Sequence, residues 1–477
     1  MIERHEISIP GVAGGGREVA EVRSPYRGEV IAEVEQADLA ACEHALELQT
    51  ALFRQRDAWL PAHERIGILR RAAALIAERR EELARLIALE GGKPMRDALV
   101  EADRAANGME LCAEAVGHRT GEEIPMGATA ASTGRLAFTT YEPIGVVAAV
   151  SAFNHPLNLI VHQVGPAVAA GCPVIVKPAG ETPLSCLAAV DILRQAGLPA
   201  KWCLALPCGT EVAERLVTSD RIGFFSFIGS ARVGWYLRSK LSPGVRCALE
   251  HGGAAPVFVD RSADLDAGVS QLLKGGYYHA GQVCVSVQRV FVHDDIKDEL
   301  VDRLVEGIGA LQTGDPLDPD TDVGPLIRPA EVDRVDEWVQ EAVGAGAKVA
   351  VGGHRLDHQC YEPTLLVDPP LDTKVMQQEV FGPVVAVAGY GELDGAIDRA
   401  NSVAWAFQAA VLSRDINVAL AAARRLDATA VMVNDHTAFR VDWMPFGGRG
   451  QSGLGMGGMR YTVEEMTQPK MIVLNGV

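Results

Sequence analysis

Val146-Val147-Ala148-Ala149-Val150, followed at once by Ser151-Ala152-Phe153-Asn154-His155-Pro156, is the stretch whose reading decides the fold. An apolar run without alternation marks a strand buried on both faces, and such strands belong to parallel sheets covered by helices. The pattern repeats downstream. Residues 157–170 read as a helix, Val174-Ile175-Val176 as a strand, 183–196 as a helix, Trp202 to Leu206 as a strand, 210–218 as a helix, Ile222 to Ile228 as a strand and 231–240 as a helix. Strand and helix in alternation predict a doubly wound α/β domain, whose ligands sit at the carboxyl ends of the strands.

Working outward, the alternation restarts after Glu250, with a strand at 256–259, a helix at 264–278, a strand at 288–293 and a helix at 295–310. Further strands are expected at 347–351, 384–388 and 430–433, which makes a second α/β domain. Upstream, residues 1–35 carry short alternating runs that suggest a hairpin. Residues 36–118 are rich in Ala, Leu, Glu and Arg, with Ile66, Leu69, Ala73 and Ile76 at helical spacing. They read as three helices, broken at Gly91-Gly92-Lys93-Pro94. Arg135 to Tyr141 and Lys470 to Leu474 are strands that fit neither domain. Unpaired edges invite aggregation, so both are expected to pair with a partner subunit.

The chain has 477 residues, too many for one core. With 44 basic and 62 acidic residues its formal charge is −18, which argues against nucleic acid or an anionic membrane as partner. No apolar run is long enough to span a bilayer, and the N-terminus lacks a signal-peptide pattern. Nine scattered cysteines with no CxxC pair point to reduced thiols, no metal and a cytoplasmic location.

Three polar residues fall at strand ends or on a following loop: Asn154, Glu250 and Cys284. In Gly281-Gln282-Val283-Cys284 the cysteine lies on a loop between helix and strand, where a scaffold can present a nucleophile, although buried structural cysteine is the commoner fate. Gly229-Ser230 precedes a helix, a place where backbone amides bind phosphate, and a plain tight turn is the alternative. Lys177 closes a strand of the same sheet and could reach a ribose or phosphate, or be simply solvated. Glu379 and Phe381 would face the same side of a strand. His279, five residues before Cys284, is aimed elsewhere by the helix.

Taken together, Phe153-Asn154-His155-Pro156, Lys177-Pro178-Ala179, Phe227-Ile228-Gly229-Ser230, Leu249-Glu250-His251-Gly252-Gly253, Gly281-Gln282-Val283-Cys284, Glu379-Val380-Phe381-Gly382-Pro383 and Pro445-Phe446-Gly447-Gly448 resemble, in order and spacing, the NAD(P)-dependent aldehyde dehydrogenase superfamily. The resemblance implies a dinucleotide-binding domain from 1–119 and 141–249, a catalytic domain over 250–435, and oligomerisation segments at 120–140 and 456–477, in a homodimer or homotetramer. It implies Cys284 as nucleophile, Glu250 as general base, and Asn154 with the Cys284 amide as oxyanion hole. Lys177 and Glu379 would hold the riboses and Ser230 the pyrophosphate, with Gly180, Gly229 and Phe381 completing the cofactor contacts. A base at Glu250 favours hydrolysis to the free acid over acyl transfer to coenzyme A, the runner-up reading, and the intact trio argues against a catalytically silent relative.

Several positions depart from the family pattern. Gly180 stands where NAD users commonly carry a glutamate against the adenosine ribose. Glycine would not repel a 2′-phosphate, so NADP is expected to be accepted beside NAD, with Arg232 as a possible aid. His251 replaces the usual leucine beside the base, either tuning Glu250 or packing. His155, His162 and Arg440 take tunnel positions that are often apolar, near Phe446. Arginine suits an anionic or hydroxylated group on a short aldehyde, as in the lactaldehyde, glyceraldehyde and phosphonoacetaldehyde branches. The alternatives are an Arg440–Asp442 pair that only shapes the loop, and an apolar or aromatic aldehyde as substrate.

Overall fold

The computed structural model describes residues 2–15 and 17–476. Its first large sheet is built around Val146–Val150, which lies between Val174–Lys177 and Ile222–Ile228. Cys203–Ala205 and Arg246–Glu250 extend the sheet on either side in parallel, and Gly453–Leu454 closes one edge antiparallel. The winding reverses between Val146–Val150 and Ile222–Ile228, the crevice where such sheets hold ligands. Four chemistry-bearing positions are set there by strand ends: Asn154, Lys177, Gly229 and Glu250.

The central strand shows why the apolar run was needed. Side chains alternate across a strand, so Val147 and Ala149 enter the core shared with helices Asn158–Ala170 and Met95–His118. Val146, Ala148 and Val150 enter the core on the other face, with helices Leu39–Arg54 and Thr210–Val217. Both faces are dry.

A second sheet runs in the order Lys348–Val351, Thr364–Val367, Val384–Tyr390, Val287–His293, Ala255–Val259, Gln408–Leu412, Ala430–Val433, parallel except at its first strand. A third, small sheet pairs Thr467–Asn475 and Glu123–Ile124 antiparallel with Arg135–Pro143. At the N-terminus Val19–Arg23 and Val30–Glu35 form the expected hairpin, joined by Glu3–His5.

Four expectations are corrected. Residues 36–118 hold four long helices, Leu39–Arg54, Ala62–Glu78, Arg80–Gly91 and Met95–His118. The extra break falls at Arg79 (ψ 17°), inside a charge run that had no glycine or proline to mark it. The edge strands Arg135–Pro143 and Thr467–Asn475 pair with each other within the chain along nine residues, rather than each needing a partner subunit. The terminal arm begins at Thr467 rather than 456, because Met459, Val463 and Met466 are buried in the core beside helix Asn158–Ala170. Glu379 and Phe381 lie on a loop, not a strand, and Phe381 has a left-handed φ of 47°. Among the described residues no helix is long and apolar enough to cross a membrane.

Candidate active site

A cleft of about 510 Å³ opens at the crevice, walled by residues from both large sheets. The loop carrying Cys284 is pinned from several sides. Gln282 donates through Nε2 to the carbonyls of His279 and Pro325 (3.3 and 3.2 Å), and its Oε1 accepts from the Ile327 amide at 3.0 Å. Thr437 Oγ1 donates to the Val285 carbonyl at 2.6 Å. Asn154 Nδ2 donates to the Gln282 carbonyl at 2.9 Å, which ties the end of the first strand to a point two residues before Cys284. Its own loop is held by Glu101, whose Oε1 accepts from the amides of Leu157 and Asn158 (2.9 and 3.1 Å) and whose other oxygen meets the fully buried Lys93.

Of the nine cysteines, seven are buried, and Cys284 is one of the two that are not. Burial of its sulfur pushes the thiol up to about 12, against the pull of the Arg440 guanidinium. At neutral pH it is a thiol, so a nucleophilic role demands that its proton leave as attack proceeds. Glu250, on the same wall, has its carboxyl raised by burial and held back by Arg440. A raised carboxyl is a better proton acceptor than an ordinary one.

On the same wall stand Lys177, Gly180, Gly229, Ser230, Glu379 and Phe381. These residues fit a dinucleotide. Glu379 Oε1 is buried without a hydrogen-bond partner, and burial pushes its carboxyl up to about 8. Its carboxylate rests where a side chain on Gly252 would overlap it, 1.6 Å from the position of a Cβ. An orphaned acceptor of this kind suits a sugar hydroxyl. Nothing lies within 4 Å of the Cβ position of Gly180, leaving room for a 2′-substituent. Arg232 is exposed and is not on the wall. Phe381 packs edge-on against Phe153, with ring centroids 5.8 Å apart.

Below Cys284 the cleft ends in a cluster of cations. Arg104, from helix Met95–His118, grips Asp442 with Nε and Nη2 at 3.1 and 2.6 Å. Arg440 Nη2 lies 3.2 Å from His162 Nδ1, and His162 Nε2 lies 2.8 Å from Asp442 Oδ1. A guanidinium only donates, so Nδ1 accepts and the proton sits on Nε2. His162 is therefore neutral, in keeping with burial and the Arg440 charge pushing it down to about 4. Burial alone would raise the Asp442 carboxyl, but His162 and Arg104 hold it well below the usual range.

Arg440 is 10% exposed, stacks 3.5 Å from the centroid of Phe446, and its Nε lies 3.7 Å from Asp442 with no hydrogen bond. The Arg440–Asp442 pair is thus present as a longer ion pair, while the hydrogen bonds of Asp442 go to Arg104 and His162. His155 Nε2 lies 3.0 Å from the Tyr278 hydroxyl, and burial holds this imidazole neutral as well.

Asn154, Glu250, Cys284, His155, Arg440 and Phe446 thus share one cleft with the cofactor-end residues, whereas His162 stands behind Arg440 and is not on the wall. Buried His251 packs between Phe227 and Trp235, with centroids 5.7 and 5.5 Å away. Among the wall residues without a role in the sequence analysis are Arg104, Tyr278, Arg328, Arg334 and Trp338. Arg104 had a signal: it lies three residues after Glu101 and four before Gly108, on the face that the helix buries.

A doubly wound sheet whose crevice faces a loop-borne cysteine, with a carboxylate and a carboxamide beside it, defines an oxidoreductase of the thiol-dependent dehydrogenase class. The chain belongs to the aldehyde dehydrogenase family, whose model matches residues 12–472, and it is an NAD(P)-dependent aldehyde dehydrogenase. It is 40% identical to 3-sulfolactaldehyde dehydrogenase of Priestia aryabhattai over 100% of this chain and 99% of that protein. Aldehyde dehydrogenase 21 from Physcomitrella patens, solved with the reaction product succinate, superposes with a TM-score of 0.96 at 33% identity, covering 100% of this chain and 99% of that one. Glyceraldehyde-3-phosphate dehydrogenase GapN from Methanocaldococcus jannaschii, complexed with NADP, gives 0.92 at 35% identity, over 96% of this chain and 100% of that one.

Proposed function

We propose that this chain oxidises a short aldehyde bearing a distal sulfonate, carboxylate or phosphate to the corresponding free acid, and that it accepts NADP as well as NAD. The observation that carries the reading is Arg440: a nearly buried guanidinium on the cleft wall whose one hydrogen bond goes to a neutral imidazole. Arg104 stands beside it, Asp442 pairs with both cations, and Glu250 also acts on Arg440. A guanidinium on the wall with N–H donors left over offers a charged, forked contact to an anionic group. The similarity to a 3-sulfolactaldehyde dehydrogenase and to an aldehyde dehydrogenase solved with succinate supports the same reading.

In this reading Cys284 Sγ adds to the aldehyde carbon as its proton passes through Glu250 to solvent, while the distal anion rests on Arg440 and Arg104. Asn154 Nδ2 and the Cys284 amide receive the developing oxyanion, a contribution of about 10²–10³ in rate per donor. NAD(P), when bound, supplies the hydride acceptor. Glu250 then takes a proton from the water that attacks the thioester, releasing the acid and the thiol. Gly180 offers no carboxylate to repel a 2′-phosphate, which supports NADP use.

The chain assembles as a homodimer or homotetramer. The outer edge of Thr467–Asn475 carries no backbone partner among the described residues and exposes Met471, Val473 and Leu474. Light scattering that returned a monomer would oppose this.

The test of the main reading is kcat/KM across anionic, neutral and aromatic short aldehydes, each with NAD and NADP. Highest values on the anionic members support it. Higher values on apolar or aromatic aldehydes overturn the substrate class and leave the reaction class standing. A value at least about tenfold higher with NAD than with NADP opposes the cofactor reading.

A further inference from the structure

His251 is the residue after Glu250, and the structure gives its ring an unusual employment. Nδ1 lies 3.0 Å from the Gly229 carbonyl oxygen. A carbonyl only accepts, so Nδ1 carries the proton, and Nε2 is left bare and buried without a partner. The ring occupies the space beneath helix Ala231–Arg238 that a side chain on Gly234 would fill, since a Cβ there would lie 2.0 Å from His251 Cε1. Two backbone bonds frame the arrangement: Gly229 N–H donates to the Glu250 carbonyl at 3.0 Å and His251 N–H to the Ser452 carbonyl at 3.0 Å.

The consequence follows from peptide geometry. The Gly229–Ser230 bond is trans, so its carbonyl and its N–H point in opposite directions. With the Gly229 carbonyl turned down onto His251, the Ser230 N–H is turned up, and no acceptor in the protein takes it among the described residues. Ser230 is also the residue before helix Ala231–Arg238, and its side chain makes no capping bond. The free amide therefore lies at the helix entrance on the cleft wall, where a phosphate is favoured.

We propose that His251 is a positioning residue for the cofactor: by holding the Gly229 carbonyl it fixes the Ser230 N–H toward the pyrophosphate of the bound dinucleotide and locks that turn to the strand that carries Glu250. This rests on the cofactor site described under Proposed function. A leucine could fill the same space, but it could not orient the peptide. Packing alone would leave cofactor affinity indifferent to the donor, and orientation makes the donor decisive.

The experiment is calorimetric titration of NADP, without aldehyde, into the full-length wild type, H251L and H251N, with circular dichroism and thermal melting of each. The asparagine carboxamide can donate from nearly the place of Nδ1, and leucine cannot. H251L is expected to weaken NADP by about three- to tenfold, the range of one neutral hydrogen bond. H251N is expected to return within about twofold of wild type. In turnover, KM for NADP should rise at least about threefold more than KM for the aldehyde in H251L. Should H251L not fold, H251F keeps a ring between Phe227 and Trp235 without the donor and takes its place. Equal affinity in all variants, or equal weakening in H251L and H251N, overturns the proposal. A wild type that binds neither NAD nor NADP overturns the cofactor site itself, a failure distinct from that of His251.

Discussion

Replacing Arg440 with alanine removes a guanidinium that has five N–H donors and spends one of them on His162. A hydrogen-bonded contact between charged groups contributes about 1.5–3 kcal/mol. At about 1.4 kcal/mol per decade, R440A should therefore lower kcat/KM for the best anionic aldehyde by about 10- to 150-fold. A neutral aldehyde of the same length makes no such contact, and its kcat/KM should fall by only about threefold, from the loss of packing on Phe446. R440K retains the charge but not the planar fork, and it should recover part of the loss on a sulfonate. The assay is initial-rate formation of reduced cofactor, with thermal melting to show that the variants remain folded. Arg440 also pulls the Cys284 thiol and the Glu250 carboxyl downward. Both groups should titrate higher in R440A, moving the rising limb of the pH profile to more alkaline pH for every substrate. Equal losses on anionic and neutral aldehydes would refute the reasoning and assign Arg440 to structure.

E250Q should lower steady-state turnover by about 10²–10⁴-fold, the scale of a lost general base, and a rapid-quench or stopped-flow trace should show whether deacylation has become the slow step; unchanged turnover would remove Glu250 from the mechanism. G180E places a carboxylate in open space at the cofactor end, so the Kd for NADP should rise at least about tenfold, the scale of one unfavourable charge contact, while that for NAD stays close to wild type; parallel changes would dissociate Gly180 from the 2′-phosphate. The Cys284 thiol is raised to about 12 in the free enzyme, and only the thiolate reacts, so its alkylation by iodoacetamide should accelerate steadily as pH rises through the alkaline range, and a plateau near neutrality would contradict the raised thiol. E101A strands a fully buried Lys93 without its carboxylate; breaking such a pair costs about 3–5 kcal/mol, readable by urea unfolding, and a loss within error of zero would show that water or another group compensates.

The sheet that positions the cleft was legible because its strands are short, apolar and separated by helices with clear boundaries. Val146–Val150 and Ile222–Ile228 are examples. The break at Arg79 was not, because the helices on either side share one charged surface and nothing local stops the chain there. Strands Thr364–Val367 and Gln408–Leu412 were also missed, being identified mainly by their neighbours in the sheet.

The residues gathered around the cleft were found where a motif surrounds them, as with Asn154, Glu250 and Cys284. Arg104 and Glu101 were missed because their importance is tertiary. One reaches across the fold to Asp442, and the other holds the loop after Asn154. His162 shows the reverse error: its position near the tunnel was visible, but that Arg440 stands in front of it is a tertiary contact. His251 could be read as a departure from pattern, and its carbonyl partner could not.

The central claim is that the cation cluster at the end of the cleft selects an anionic group, and product binding tests it without any chemistry at Cys284. Calorimetric titration should compare a short dicarboxylate or sulfonate product with the analogue whose distal acid is replaced by its amide, in the presence of oxidised cofactor. The account predicts that the distal anion binds at least about tenfold tighter, with the difference abolished in R440A. Equal affinity for the acid and the amide in the wild type would contradict it.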